Sequence, residues 1–175
     1  MLRETQLVVC LLFQYAGMSF VDFAHLKERN IKNGILDYNR QKTGTPMRLE
    51  ILDTAELMRK ELMGDKRPAS GYLFPFLSGT KTGYEAYLEY NAALSRFNRN
   101  LKALKKAAGI ASDVTSYTIR HSFAMALKEQ NVAIEMISEL LGHKSIKTTQ
   151  IYLRSFSLEN MTEVNSTCFG CVYNY

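Results

Sequence analysis

The sequence predicts a mainly α domain with a small antiparallel β-sheet (α+β), and three observations predict it. Seven stretches carry apolar residues at helical spacing, with cap or stop residues at their ends. A single pair of short strand-like runs sits after the second of them. The 175 residues, 46% hydrophobic and 22% charged, fit one domain, and no repeat, low-complexity tract or linker interrupts them.

In chain order, residues 4–15 read as a buried helix ended by Gly17. Ser19 is placed to cap a short second helix with Phe20, Phe23 and Leu26 on one face. Residues 34–39 and 46–51 form a hairpin through the turn 40–45. Asp53 caps a helix to about Met63, and a Gly/Pro/Ser-rich loop spans 64–71. Residues 83–108 give a long helix with Leu88, Ala92, Phe97, Leu101 and Leu104 among its apolar positions, a basic last turn, and Gly109 just beyond. Thr115 or Ser116 caps the next, to about Gln130; residues 132–141 form another, stopped by Gly142; and Ser145 caps a last helix through Tyr152.

A net charge of +5 permits an anionic partner without demanding one. Three cysteines (Cys10, Cys168, Cys171) are too few for a disulfide framework and suit a reducing cytoplasm. Cys168 and Cys171 form a C-x-x-C, but no cluster of further Cys or His completes a zinc site. The longest apolar run, Leu7 to Phe13, is far short of the roughly 20 residues that span a bilayer. The chain starts abruptly in a helix, as a piece of a longer protein would, and nothing points to export.

The segment Leu140-Leu141-Gly142-His143-Lys144-Ser145-Ile146-Lys147-Thr148-Thr149-Gln150-Ile151-Tyr152 carries the chemistry. Gly142 ends one helix, His143 lies in the turn, and Ser145 starts another helix that holds Tyr152 about two turns in. Lys144, Lys147, Thr148 and Thr149 supply donors suited to the oxygens of a DNA backbone. Singly, each residue has an ordinary explanation in packing or solvation. Leu-Gly-His, Thr-Thr and Ile-Tyr at these spacings together resemble the C-terminal signature of tyrosine recombinases and phage-type integrases. Ser116-Tyr117-Thr118-Ile119-Arg120-His121 resembles the family's H-x-x-R box, Arg40-Gln41-Lys42-Thr43-Gly44 the loop of its catalytic lysine, and Gly17-Met18-Ser19-Phe20-Val21-Asp22 its first box. The four motifs stand in family order over about residues 5–155.

The resemblance implies the DNA breaking-rejoining fold, with residues 1–155 as catalytic domain. It implies a tail over 156–175 exchanged between protomers, and a separate N-terminal DNA-binding domain elsewhere in the parent protein. It implies site-specific DNA recombination or integration by a mobile-element enzyme, through a 3′-phosphotyrosyl intermediate and without metal or other cofactor. Tyr152 is then the nucleophile, Arg120 and His143 bind the phosphate, and Lys42 protonates the departing 5′-oxygen. The implied partners are double-stranded DNA with a specific recombination site and further copies of the chain, as a tetramer on DNA. No membrane is involved, and the setting is the cytoplasm, at the nucleoid.

Two positions depart from the pattern. The first-box arginine is replaced by Ser19, and the neighbouring position that carries one in some relatives is Ala16. The histidine three residues before Arg120 is Tyr117, whose phenol donates a hydrogen bond but makes a poor base. Arg40 and Arg48, on the hairpin, are candidates to fill the vacant cationic role, while His121 packs beside Arg120 as a supporting residue. The alternative reading is a catalytically impaired relative that holds DNA without cutting it.

Overall fold

The computed structural model describes residues 1–65 and 71–153. The middle of the 64–71 loop, the Cys168–Cys171 pair and the tail expected to be exchanged between protomers lie outside the described residues, as does the side chain of Tyr152.

Helix α1 (Leu2–Gln14) buries Leu7, Val8, Leu11 and Leu12 on one face. It ends in two left-handed residues, Ala16 (φ 55°) and Gly17 (φ 63°), which turn the chain into α2 (Phe20–Ala24). Gly17 also allows close packing, because a methyl group there would lie 2.9 Å from a ring carbon of Phe123. A 3-10 turn, Glu28–Asn30, leads to a three-stranded antiparallel sheet of β1 (Ile31–Lys32), β2 (Ile35–Asn39) and β3 (Pro46–Glu50), in that order. The hairpin stands as expected, but β1 is an addition. Two residues are too few to display the alternation that marks a strand.

Between β2 and β3, Leu36 pairs with Leu49 and Tyr38 with Met47. Leu36, Tyr38 and Met47 are buried while Asp37 and Arg48 face out, the period of two expected of a one-sided sheet. Helix α3 (Asp53–Met63) begins at its expected cap, one residue early. Leu52 holds the cap position, and Asp53 instead lies in the first turn with Glu56, where negative charge suits the helix dipole.

The long helix α4 (Gly83–Ala107) buries Ala93, Phe97 and Leu101, while Leu88 and Ala92 are exposed. At 100° per residue those two fall on the far side of the stripe that the buried three define. Helices α5 (Ser116–Glu129), α6 (Ile134–Leu140) and α7 (Ile146–Tyr152) complete the described chain.

The core has two parts. The larger runs under α1 to α4 and the sheet, with stacked rings of Phe23 on Phe74 (4.1 Å between centroids) and Phe20 on Phe97 (4.7 Å). Each fully buried ring of this kind contributes about 1.5–3 kcal/mol. The smaller part gathers Ala124, Ile137, Leu141 and Leu153 between α5, α6 and α7. Among the described residues no helix is long and apolar enough to cross a membrane.

Candidate active site

Three polar side chains from distant parts of the sequence meet at the turn between α6 and α7. Arg120 lies on the second turn of α5, which Thr115 caps in a reciprocal box with Thr118. Its guanidinium is almost fully buried, and Nη1 donates to the carbonyl oxygen of Gly17 at 2.9 Å. Nη2 donates to the carbonyl oxygen of Leu141 and lies 3.4 Å from Nε2 of His143. One guanidinium thus ties the end of α1, the end of α6 and the histidine turn together.

Arg40, at the start of the hairpin turn, reaches the same place. Its Nη1 donates to the carbonyl oxygens of Leu141 (3.0 Å) and Gly142 (3.1 Å), and its Nε to Asp22 at 3.4 Å. Asp22 is buried and accepts twice more, from the Ser19 hydroxyl (2.6 Å) and the Gln41 backbone N–H (2.7 Å). That carboxylate is the main reason a buried Arg40 is tolerable, since an unpaired charge there would cost several kcal/mol. Gly142, at φ 60°, makes room: a methyl group on it would overlap Met47 Sδ and lie 2.7 Å from Arg40 Cδ.

His143 sits half-buried in the turn. Its Nδ1 lies 2.8 Å from the Thr149 hydroxyl. Burial, reinforced by the Arg120 and Arg40 guanidiniums beside it, pulls its pKa down to about 4, so the ring is neutral at neutral pH. Two buried guanidiniums thus lie beside a neutral imidazole. Among the described residues no group of acidic, Cys or His side chains is placed to hold a metal ion.

The structure brings Arg120, His143 and Arg40 together. Lys42 is exposed on the hairpin tip, two residues beyond Arg40 and next to Gln41, whose backbone Asp22 anchors. Arg48 stands on the outward face of β3 opposite Asp37, and among the described residues it makes no hydrogen bond to Arg120 or His143. Tyr117 is 60% exposed, one turn before Arg120, and His121 is exposed beside it. Ser19 turns its hydroxyl to Asp22, and Ala16 is buried with no group that could bind an anion. Lys144, Lys147 and Thr148 are exposed along the turn and the start of α7. Thr149 departs from its expected place among DNA-backbone contacts. It is fully buried, so a backbone phosphate has no surface of it to touch. Tyr152 is the last residue of α7.

The family model described as phage integrase matches residues 3–159. The chain belongs to the phage integrase family. Curated relatives agree: 52% identity over 54 residues with the tyrosine recombinase XerD of Lacticaseibacillus casei, and 41% over 75 residues with XerC of Rickettsia typhi. These matches take in 31 and 43% of this chain but only 18 and 24% of those proteins, so the chain spans a minor part of their length. Among solved structures, the XerH site-specific recombinase in a post-cleavage complex with a palindromic difH substrate superposes with a TM-score of 0.68. It is 19% identical and covers 94% of this chain and 45% of its own. The Tn1549 transposon integrase in complex with transposon right end DNA gives 0.64 at 14% identity, covering 94% and 58%. The fold is that of tyrosine recombinase catalytic domains.

Two further side chains tie elements of this integrase-family chain together. Asp22 was visible as a lone carboxylate inside the apolar run Phe20-Val21-Asp22-Phe23-Ala24, a placement that demands a buried partner. Lys128 donates from α5 to the carbonyl oxygen of Leu153 (2.9 Å), just beyond the end of α7, and nothing in its sequence neighbourhood signals that contact.

Proposed function

We propose that this chain is the catalytic part of a site-specific DNA recombinase that works by transesterification through Tyr152. The Tyr152 oxygen attacks a backbone phosphorus, the bond to the 5′-oxygen breaks, and a 3′-phosphotyrosyl link holds the strand. Lys42 gives the departing 5′-oxygen its proton, and the phenolic proton of Tyr152 passes to solvent. A 5′-hydroxyl from a partner strand later reverses the step, so no nucleotide is consumed.

The observation that carries this reading is the convergence of Arg120, Arg40 and His143 on one turn, from which α7 leads to Tyr152. The transition state spreads negative charge over the non-bridging oxygens, and each preorganised donor aimed at it is worth about 3 kcal/mol. Arg40 takes the part that Ser19 and Ala16 cannot. The hydrogen-bond chain from Ser19 through Asp22 to Arg40 supports this, because it sets a guanidinium beside the first box without that box supplying one. Arg48 has no comparable connection. Exposed Lys144, Lys147 and Thr148 hold neighbouring phosphates, and Tyr117 adds a phenolic donor. The partner is double-stranded DNA with a recombination site, engaged by several copies of the chain.

A nicked duplex carrying the ends of the parent element tests the proposal. The full-length parent should form a covalent protein–DNA adduct that Tyr152→Phe abolishes. An intact protein that binds the duplex and never forms an adduct would instead be a holding relative.

A further inference from the structure

Thr149 is buried, polar and given no task by the chemistry above. It is fully buried on α7, three residues before Tyr152, and His143 Nδ1 at 2.8 Å is its hydroxyl's hydrogen-bond partner among the described residues. A buried hydroxyl has one hydrogen to place and almost always places it. The usual outlet for a helical threonine, the carbonyl four residues back, is not taken here: the hydroxyl turns to His143 instead. The hydrogen therefore goes to Nδ1.

We propose that Thr149 is the positioning residue that sets the tautomer of His143, donating to Nδ1 so that the ring proton sits on Nε2. This rests on the recombinase reading above. If Nδ1 carried the proton, it would donate to Thr149 and leave the hydroxyl's own hydrogen buried without an acceptor, the costlier arrangement. A neutral ring has one proton to place, and the depressed pKa of His143 makes the ring neutral.

The contact on the other side of the ring is the weaker one. Arg120 Nη2, always a donor, lies 3.4 Å from Nε2, long for a hydrogen bond beside the 2.8 Å one to Thr149. With the proton on Nε2 that weak bond is given up, and both groups can donate to an incoming phosphate oxygen. Because Thr149 shares α7 with Tyr152, the helix that carries the nucleophile also orders the imidazole that binds the phosphate. A histidine held in the wrong tautomer cannot donate from Nε2, and a tautomer error of this kind is expensive in acyl-transfer sites.

The test reads the ring directly. In the ¹⁵N-labelled chain at neutral pH, ring-nitrogen spectra should show His143 protonated on Nε2 and bare on Nδ1. Thr149→Val, which keeps the shape and removes the hydroxyl, should let the Nδ1-protonated form appear, and Thr149→Ser should restore the original spectrum. In the full-length parent, Thr149→Val should lower adduct formation by about tenfold or more, with Thr149→Ser close to the starting protein. A wild-type His143 protonated on Nδ1 overturns the proposal, whether or not the valine variant folds. So does a folded Thr149→Val with unchanged ring spectra. A parent protein that forms no adduct at all would fail the recombinase reading, while the ring spectra would still decide the role of Thr149.

Discussion

Arg40 and Arg120, 80 residues apart in sequence, donate to the same acceptor, the carbonyl oxygen of Leu141. Like charges held this close repel, and Asp22 forms an ion pair with Arg40. Under the proposed function a phosphodiester adds further negative charge beside the two guanidiniums.

Asp22→Asn tests how much that carboxylate matters. It keeps the volume and leaves Arg40 buried without its counter-charge, so the folded state should lose about 3 kcal/mol, read as a lower urea midpoint. A midpoint near that of the unmodified chain would mean that Arg40 relaxes to solvent at little cost.

Gly142→Ala should be costly for two reasons. The backbone there is left-handed, and the added methyl would meet Met47 and Arg40. The expected loss is about 2 kcal/mol or more, accompanied by displacement of Arg40. Gly34→Ala is the control: it shares the left-handed backbone but has open space around it, so only about 1 kcal/mol is expected.

The pH dependence follows from His143. Its folded-state pKa, about 4, lies below the ordinary histidine value, so between the two the unfolded chain binds more protons. That contribution to stability is complete above the ordinary value and is lost as pH falls toward 4. Discounted for a half-exposed ring, it amounts to about 1–2 kcal/mol. The unmodified chain should therefore lose more stability between neutral pH and the low end of that window than His143→Gln does. Equal losses would mean the imidazole titrates normally.

Much of the fold was legible because its signals are local. The hairpin alternates at period two, and Thr115, Gly109 and Gly142 mark helix ends at the expected positions. Strand β1 was not legible, because two residues carry no period. Which side of α4 meets the core was not legible either, because apolar residues such as Leu88 and Ala92 also stand on its exposed side.

At the site, Arg120 and His143 could be read from motif spacing, and Arg40 was one of two hairpin arginines between which sequence offered no choice. The sheet sets them on different sides. Arg48 follows Met47 on β3 and so points outward, while Arg40 begins the turn and folds in against Gly142. Thr149 misled most, since a threonine beside exposed Thr148 and Lys147 gives no sign in sequence that it faces inward.

The central claim, that Arg40 supplies the phosphate contact missing from the first box, meets its most direct test in the charge of the substrate itself. The measurement is adduct yield from the Arg40→Gln protein on two nicked duplexes, one with an ordinary scissile phosphate and one with a non-bridging oxygen replaced by methyl. A group that neutralises a charge becomes dispensable when the charge is removed. The account predicts a loss of roughly a hundredfold on the ordinary duplex and substantial recovery on the methylphosphonate, with Arg48→Ala near normal on both. An Arg40→Gln protein that is folded and equally impaired on both duplexes, or unimpaired on the ordinary one, would contradict it.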